Sequence, residues 1–158
     1  MLENLVKRIG NYCMSSRLII GCDHVALELK ESISIHIKEN YRDIKLEDVG
    51  VFTTDSSNYP EISDIVAKKV LSEDAIGILI CGTGVGVSIA ANRHKGIRAV
   101  VCSEPYSSLL SKRHNDSNIL CLGARVVGHE LAKLILDNWL QADYEAGRHA
   151  IRVQMLDS

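Results

Sequence analysis

Six consecutive residues, Cys81-Gly82-Thr83-Gly84-Val85-Gly86, join a thiol to a glycine-rich turn. The apolar run before them, residues 76–80, reads as a buried parallel strand, and residues 87–93 after them read as a helix. A turn of this kind exposes backbone N–H groups, and the helix N-terminus adds partial positive charge, so the segment predicts a seat for an anion. Cys81 stands at the edge of that seat, where the same field favours a negative sulfur. An acid–base thiol beside an oxyanion cradle is the chemistry this spacing offers. A tight strand-to-helix turn with an incidental buried cysteine would show the same glycines.

Three familiar motifs are excluded. No Lys follows the glycines, as a P-loop requires. Val87 stands where the dinucleotide fingerprint places its third glycine, leaving G-x-G-x-G. Val87 also occupies the position six residues after Cys81, where a cysteine-dependent phosphatase carries Arg.

The elements that must position these residues alternate from Arg17 onward without a linker. Leu18-Ile19-Ile20-Gly21 is a strand, and Val25, Leu29, Ile33 and Ile37 mark a helix face. A short strand over 44–49 ends at Gly50, and a helix entered after Pro60 carries Ile62, Ile65, Val66 and Val70. Further strands are expected at 76–80, 99–102 and 118–122. Helices are expected at 86–94, 105–114 and 127–141, the last with Leu131, Leu134, Ile135 and Trp139 facing inward. Five apolar strands separated by helices predict an α/β protein, a three-layer α/β/α sandwich around a five-stranded parallel, Rossmann-like sheet. Ligands of such sheets bind beyond the carboxyl ends of the strands. That rule selects Asp23-His24, the segment 53–59, Cys81-Gly82-Thr83, Ser103-Glu104 and Gly123-Ala124-Arg125.

Two basic clusters remain. His114-Asn115-Asp116 follows the fourth helix, toward the opposite end of its own sheet, so it reaches an active site most easily on a neighbouring subunit. Alone, such a histidine reads as a helix C-terminal residue favoured by the dipole. In the tail, Arg148 and Arg152 stand four apart, on one face if helical, and can clamp a phosphate; a solvated surface helix reads equally from composition. His36, His94 and His129 read as surface or structural residues.

The 158 residues suffice for one domain, here 17–158, preceded by an extension. In that extension, residues 1–16, Leu2, Leu5, Val6 and Ile9 recur at helical spacing, and Met14 offers an alternative start. A net charge of −2 gives no drive toward nucleic acid or an anionic membrane, and no apolar run approaches a membrane span. Five cysteines in scattered positions predict reduced thiols in a cytoplasm rather than a disulfide framework. No metal-ligand spacing stands out, so no metal is expected.

Taken together, Gly21-Cys22-Asp23-His24, Asn58-Tyr59-Pro60, the Cys81–Gly86 segment and Ser88-Ile89-Ala90-Ala91-Asn92 closely resemble type B ribose-5-phosphate isomerases. So do Gly96-Ile97-Arg98-Ala99, Ser103-Glu104-Pro105-Tyr106, His114-Asn115-Asp116 and Gly147-Arg148-His149, in order from about residue 17 to 153. The resemblance implies aldose–ketose isomerisation of ribose 5-phosphate and ribulose 5-phosphate without metal or organic cofactor. Cys81 suits the proton transfer between C2 and C1, and Thr83 with the N–H groups of Gly82, Gly84, Val85 and Gly86 suits the oxyanion. The family assigns ring opening to His114, with Asp23 assisting. His24, Arg125, Arg148 and Arg152 would hold the phosphate, Asn115 and Tyr59 the sugar, and His149 would line the phosphate end. Asn58 stands where the family commonly has Asp, so it receives no acid–base role. A homodimer with shared sites is expected, and whether dimers pair into tetramers stays open. The alternatives are an isomerase of a six-carbon sugar phosphate, such as allose or galactose 6-phosphate, and a non-catalytic sugar-phosphate-binding module.

Overall fold

A computed structural model describes residues 17–157; the helix expected in residues 1–16, with Cys13 and Met14, lies outside the described residues. Along β1 (Arg17–Cys22), Leu18, Ile20 and Cys22 face one side of the sheet and Ile19 the other, and all four are buried. The central strands β3 (Ile76–Cys81) and β5 (Ile119–Gly123) repeat this two-faced burial. The shorter β2 (Lys45–Asp48) and β4 (Ala99–Val101) are the edges of a sheet ordered β2-β1-β3-β5-β4, with every pairing parallel. The apolar runs are continuous because both faces carry helices.

One face is covered by α1 (Leu27–Asn40), through Leu29, Ile33 and Ile37, and by α5 (His129–Leu140). The other is covered by α2 (Tyr59–Ser72), through Ile62, Val66 and Val70, and by α3 (Val85–Ala91), through Val87 and Ala91. Each fully buried Leu, Ile or Val among these contributes roughly 1.5–3 kcal/mol. The helix α4 (Pro105–Asn115) packs on α5, and α6 (Arg148–Leu156) packs on α4.

One expected inward face is corrected. Leu134 is 50 % exposed and Leu131 is also exposed, while Ala132, Ile135, Leu136 and Trp139 are fully buried. Those four follow the i, i+3, i+4, i+7 rule, and around the helix Leu131 lies about 90° and Leu134 about 150° from the centre of their face. On α2, Ile65 is exposed for the same reason. Buried Trp139 donates its indole N–H to Ser117 Oγ at 2.7 Å, so its polar atom is satisfied.

The chain leaves β1 toward α1 on one face, leaves β3 toward α3 on the other, and leaves β5 toward α5 on the first. The turn after β3 is therefore flanked by connections that diverge to the opposite face. Divergence of this kind opens a crevice at the carboxyl edge of a parallel sheet.

Candidate active site

Cys81 closes β3 and is 5 % exposed. Gly84 takes the left-handed conformation (φ +80°), which glycine adopts without a Cβ clash, and its N–H donates to Cys81 Sγ at 3.1 Å. The helix that follows begins its own ladder where the Ser88 N–H donates to Gly84 O at 3.2 Å. The four preceding N–H groups have no carbonyl inside the helix. Gly84 gives its N–H to the sulfur, and Val85 gives its N–H to Thr83 Oγ1 at 3.4 Å. The cradle expected over 82–86 is thus partly occupied from within, and Gly86 and Val87 keep the N–H groups of the helix mouth.

The turns after β3 and β5 are laced together. Ala124 N–H donates to Cys81 O at 2.8 Å and Arg125 N–H to Gly82 O at 3.0 Å. Gly123 makes this approach feasible, since a Cβ there would lie 2.7 Å from the Thr83 carbonyl carbon. The Arg125 side chain runs beside Gly82, is exposed, and forms no ion pair with any described residue. Tyr59 covers Gly86 so closely that a Cβ would meet its ring at 2.8 Å.

From β1, Asp23 joins the same edge: its N–H donates to Ile80 O at 2.9 Å, and its carboxylate accepts the Val25 N–H at 3.1 Å. His24 beside it is held by Ser57. The Ser57 N–H donates to His24 Nδ1 at 3.2 Å, and Ser57 Oγ accepts the His24 N–H at 3.2 Å.

Cys22, Cys81, Cys102 and Cys121 are all free thiols. Burial pushes Cys22 and Cys102 each up to about 11 and Cys121 well above the ordinary thiol value. These three are held protonated by their apolar surroundings.

A second cluster forms where α4 ends. His114 stacks on His149 with ring centroids 4.3 Å apart and planes 5° from parallel. Glu145 approaches His114 Nε2 at 3.5 Å and pairs with Arg113. Arg148 Nε lies 3.4 Å from His149 Nε2, and Arg152 follows one turn later on the same helix. Burial, then the charges of His114, Arg148 and Arg152, lower the His149 pKa and favour its neutral form. Asn115 ends α4 and is exposed.

His114, Glu145 and His149 bring potential ligand atoms within 4.8 Å of one another, a grouping no sequence spacing showed. Imidazole lone pairs lie in the ring plane. An ion about 2.1 Å from one nitrogen, in that ring's plane, would sit well out of the plane of the parallel ring. The trio as arranged does not fit a metal.

The two clusters stand at opposite ends of the sheet. The 11 residues of α4 run from the carboxyl edge, just after β4, to the amino edge, just before β5. That length is about 16 Å. One chain therefore gathers Asp23, His24, Tyr59, Cys81, Thr83 and Arg125 on one edge, and His114, Asn115, Arg148, His149 and Arg152 on the other. Ser57 and Glu145 are the contributors that sequence reasoning missed, and Gly123, selected by position, was given no role. Ser57 and Gly123 lay inside segments selected by the strand-end rule, while Glu145 gave no signal beyond its nearness to Gly147-Arg148-His149.

Other motif residues are structural. Glu104 caps α4, accepting the Tyr106 N–H at 2.6 Å and the Ser107 N–H at 2.8 Å. Arg98 reaches Asp116 at 3.0 Å and Asp157 at 2.8 Å, tying the turn after α4 to the residue that follows α6.

A thiol and a glycine turn at the crevice of a parallel sheet define an α/β enzyme of small anionic substrates. Over residues 18–156 the chain matches the family described as Ribose/Galactose Isomerase, and it belongs to that family. Ribose-5-phosphate isomerase B of Escherichia coli K12 is 52% identical over 141 residues, spanning 89% of this chain and 93% of that one. The solved Clostridium thermocellum ribose-5-phosphate isomerase B superposes with a TM-score of 0.86 at 45% identity, over 89% of this chain and 95% of that chain. Mycoplasma genitalium ribose-5-phosphate isomerase B, solved with bound ribulose 5-phosphate, gives a TM-score of 0.84 at 36% identity, over 89% and 93% of the two chains. Among the described residues no helix is long and apolar enough to cross a membrane.

Proposed function

We propose that this chain interconverts ribose 5-phosphate and ribulose 5-phosphate through an enediolate, as a homodimer whose sites each draw on two chains. The observation that carries the reading is Cys81 Sγ held by the Gly84 N–H at the mouth of the crevice, in a chain of this family. Moving the carbonyl from C1 to C2 requires removal of the C2 proton and delivery of a proton to C1. Cys81 performs both transfers, and Thr83 with the free N–H groups of the helix mouth stabilises the oxyanion. His114, from the partner, opens the furanose ring with Asp23 assisting. His24, Arg125, Arg148 and Arg152 anchor the phosphate, His149 lines that end, and Tyr59 and Asn115 contact the sugar. A remote phosphate supplies binding energy that positions an otherwise mobile open-chain sugar. No metal takes part, and the free thiols suit a reducing cytoplasm.

Steady-state kinetics on ribose 5-phosphate, allose 6-phosphate and galactose 6-phosphate test the reading, before and after exhaustive chelation. The expected result is a kcat/KM at least about tenfold higher for the pentose, unchanged by chelation. Higher efficiency on a hexose phosphate transfers the assignment to the six-carbon reaction, and binding without turnover makes the chain a sensor.

A further inference from the structure

His24 holds a phosphate only if it presents a proton, and a neutral imidazole has one N–H and one lone pair. The wrong tautomer would turn a lone pair toward the phosphate oxygens. The choice between them is made 33 residues away in sequence, at Ser57. We propose that Ser57 is the positioning residue that fixes the His24 tautomer and makes Nε2 the donor to the substrate phosphate. This rests on the reading of His24 as a phosphate ligand.

Three contacts support it. The Ser57 backbone N–H donates to Nδ1 at 3.2 Å, so Nδ1 must offer its lone pair. Ser57 Oγ lies 3.3 Å from the same nitrogen, where its hydroxyl can donate to it as well. The same Oγ accepts the His24 backbone N–H at 3.2 Å, locking the loop after β1 to the segment before α2. With Nδ1 accepting, the neutral ring carries its proton on Nε2, which has no partner among the described residues. The segment bearing Ser57 starts from a fixed point. Buried Lys30 of α1 donates to Val51 O at 2.7 Å, pairs with Asp48 at 2.9 Å, and lies 4.5 Å from the Phe52 ring centroid. Residues 52–57 contain neither helix nor strand, so this anchor and the Ser57 contacts set where His24 is met.

The test uses the full chain labelled with ¹⁵N, with long-range ¹H–¹⁵N correlations of the histidine rings and His24 assigned by its loss in His24→Gln. The wild-type protein is expected to show His24 protonated on Nε2 and bare on Nδ1 in its neutral form. Ser57→Ala keeps the backbone N–H but loses the Oγ that accepts the His24 N–H and locks the two segments together. With the Ser57 N–H no longer held at Nδ1, the variant is expected to mix the tautomers and raise KM for ribose 5-phosphate about three- to tenfold, the worth of one hydrogen bond, with kcat within about twofold. Ser57→Thr, which keeps the hydroxyl, is expected to restore KM. A wild-type proton on Nδ1, or an unchanged KM in Ser57→Ala, overturns the inference. If His24→Gln raises KM and Ser57→Ala does not, only the role of Ser57 falls. If His24→Gln leaves KM unchanged, the phosphate role of His24 falls and this inference falls with it.

Discussion

The backbone N–H of Gly84 donates to Cys81 Sγ at 3.1 Å, across a turn that only a left-handed residue closes. The contact gives the sulfur the donor that a negative atom accepts most strongly, and it fixes the sulfur against the first turn of α3. Cys81→Ala should lower turnover of ribose 5-phosphate by about 10²–10⁴, the range of a positioned general base, while phosphate binding persists. Steady-state rates with a competitive-binding measurement check this. A variant within about tenfold of wild type would remove Cys81 from the proton-transfer role.

Thiol reactivity should separate the cysteines. Iodoacetate is expected to modify Cys81, with protection by ribose 5-phosphate. Cys22, Cys102 and Cys121 should stay unmodified because burial holds them protonated. Peptide mapping by mass reads Cys81 apart from Cys13. Equal labelling of Cys22 or Cys102 would contradict the selectivity.

Gly123 is where the two site-forming turns touch. A methyl group there would press on Thr83 backbone atoms at 2.7–2.8 Å, and backbone cannot rotate away as a side chain can. Gly123→Ala should therefore destabilise the fold by about 1–3 kcal/mol, as overpacking does, and depress kcat by moving Thr83. Denaturant melts and kinetics on the same variant measure both. Wild-type values for both would show that the turns adjust freely.

The pH dependence of stability carries the mark of His149. Its pKa is lowered in the folded chain, so between that value and the ordinary 6.5 the unfolded state binds the extra proton. Stability then rises with pH through this window: the contribution is complete above 6.5 and is lost as pH falls through the folded value. Thermal midpoints from about pH 5 to 8 should drop on the acid side, and His149→Gln should flatten that part of the curve. An identical profile in the variant would place the proton uptake elsewhere.

The sheet was legible because buried parallel strands read as continuous apolar runs, and residues 76–80 read as one, short and bounded by the glycines at Gly82 and Gly84. Helix faces were less so. Leu131 and Leu134 are larger than Ala132, yet the 3.6-residue period puts Ala132 on the buried face. Within the site, residue types identified Cys81, Asp23 and His24 as candidates, and chain order put His114 at the far edge. The distribution of N–H groups over 84–87 depends on where each donor points, which no spacing states. The Ser57–His24 contact joins two loops that sequence treats as independent. Glu104 lies in a segment that the strand-end rule selects and Arg98 in a stretch that carries the family resemblance, and their hydrogen bonds show a helix cap and a tether.

The central claim is that catalysis joins Cys81 of one chain to His114 of another, because about 16 Å of α4 separates the two edges within a single chain. Mixing a Cys81→Ala protomer with a His114→Asn protomer, each nearly inactive alone, tests it directly. A mixed dimer then holds one site bearing both substitutions and one intact site. Random exchange makes half the dimers mixed, so activity should return to about a quarter of wild type per total subunit. If mass measurement verifies exchange and no activity returns, both residues act from the same chain and the shared site is wrong.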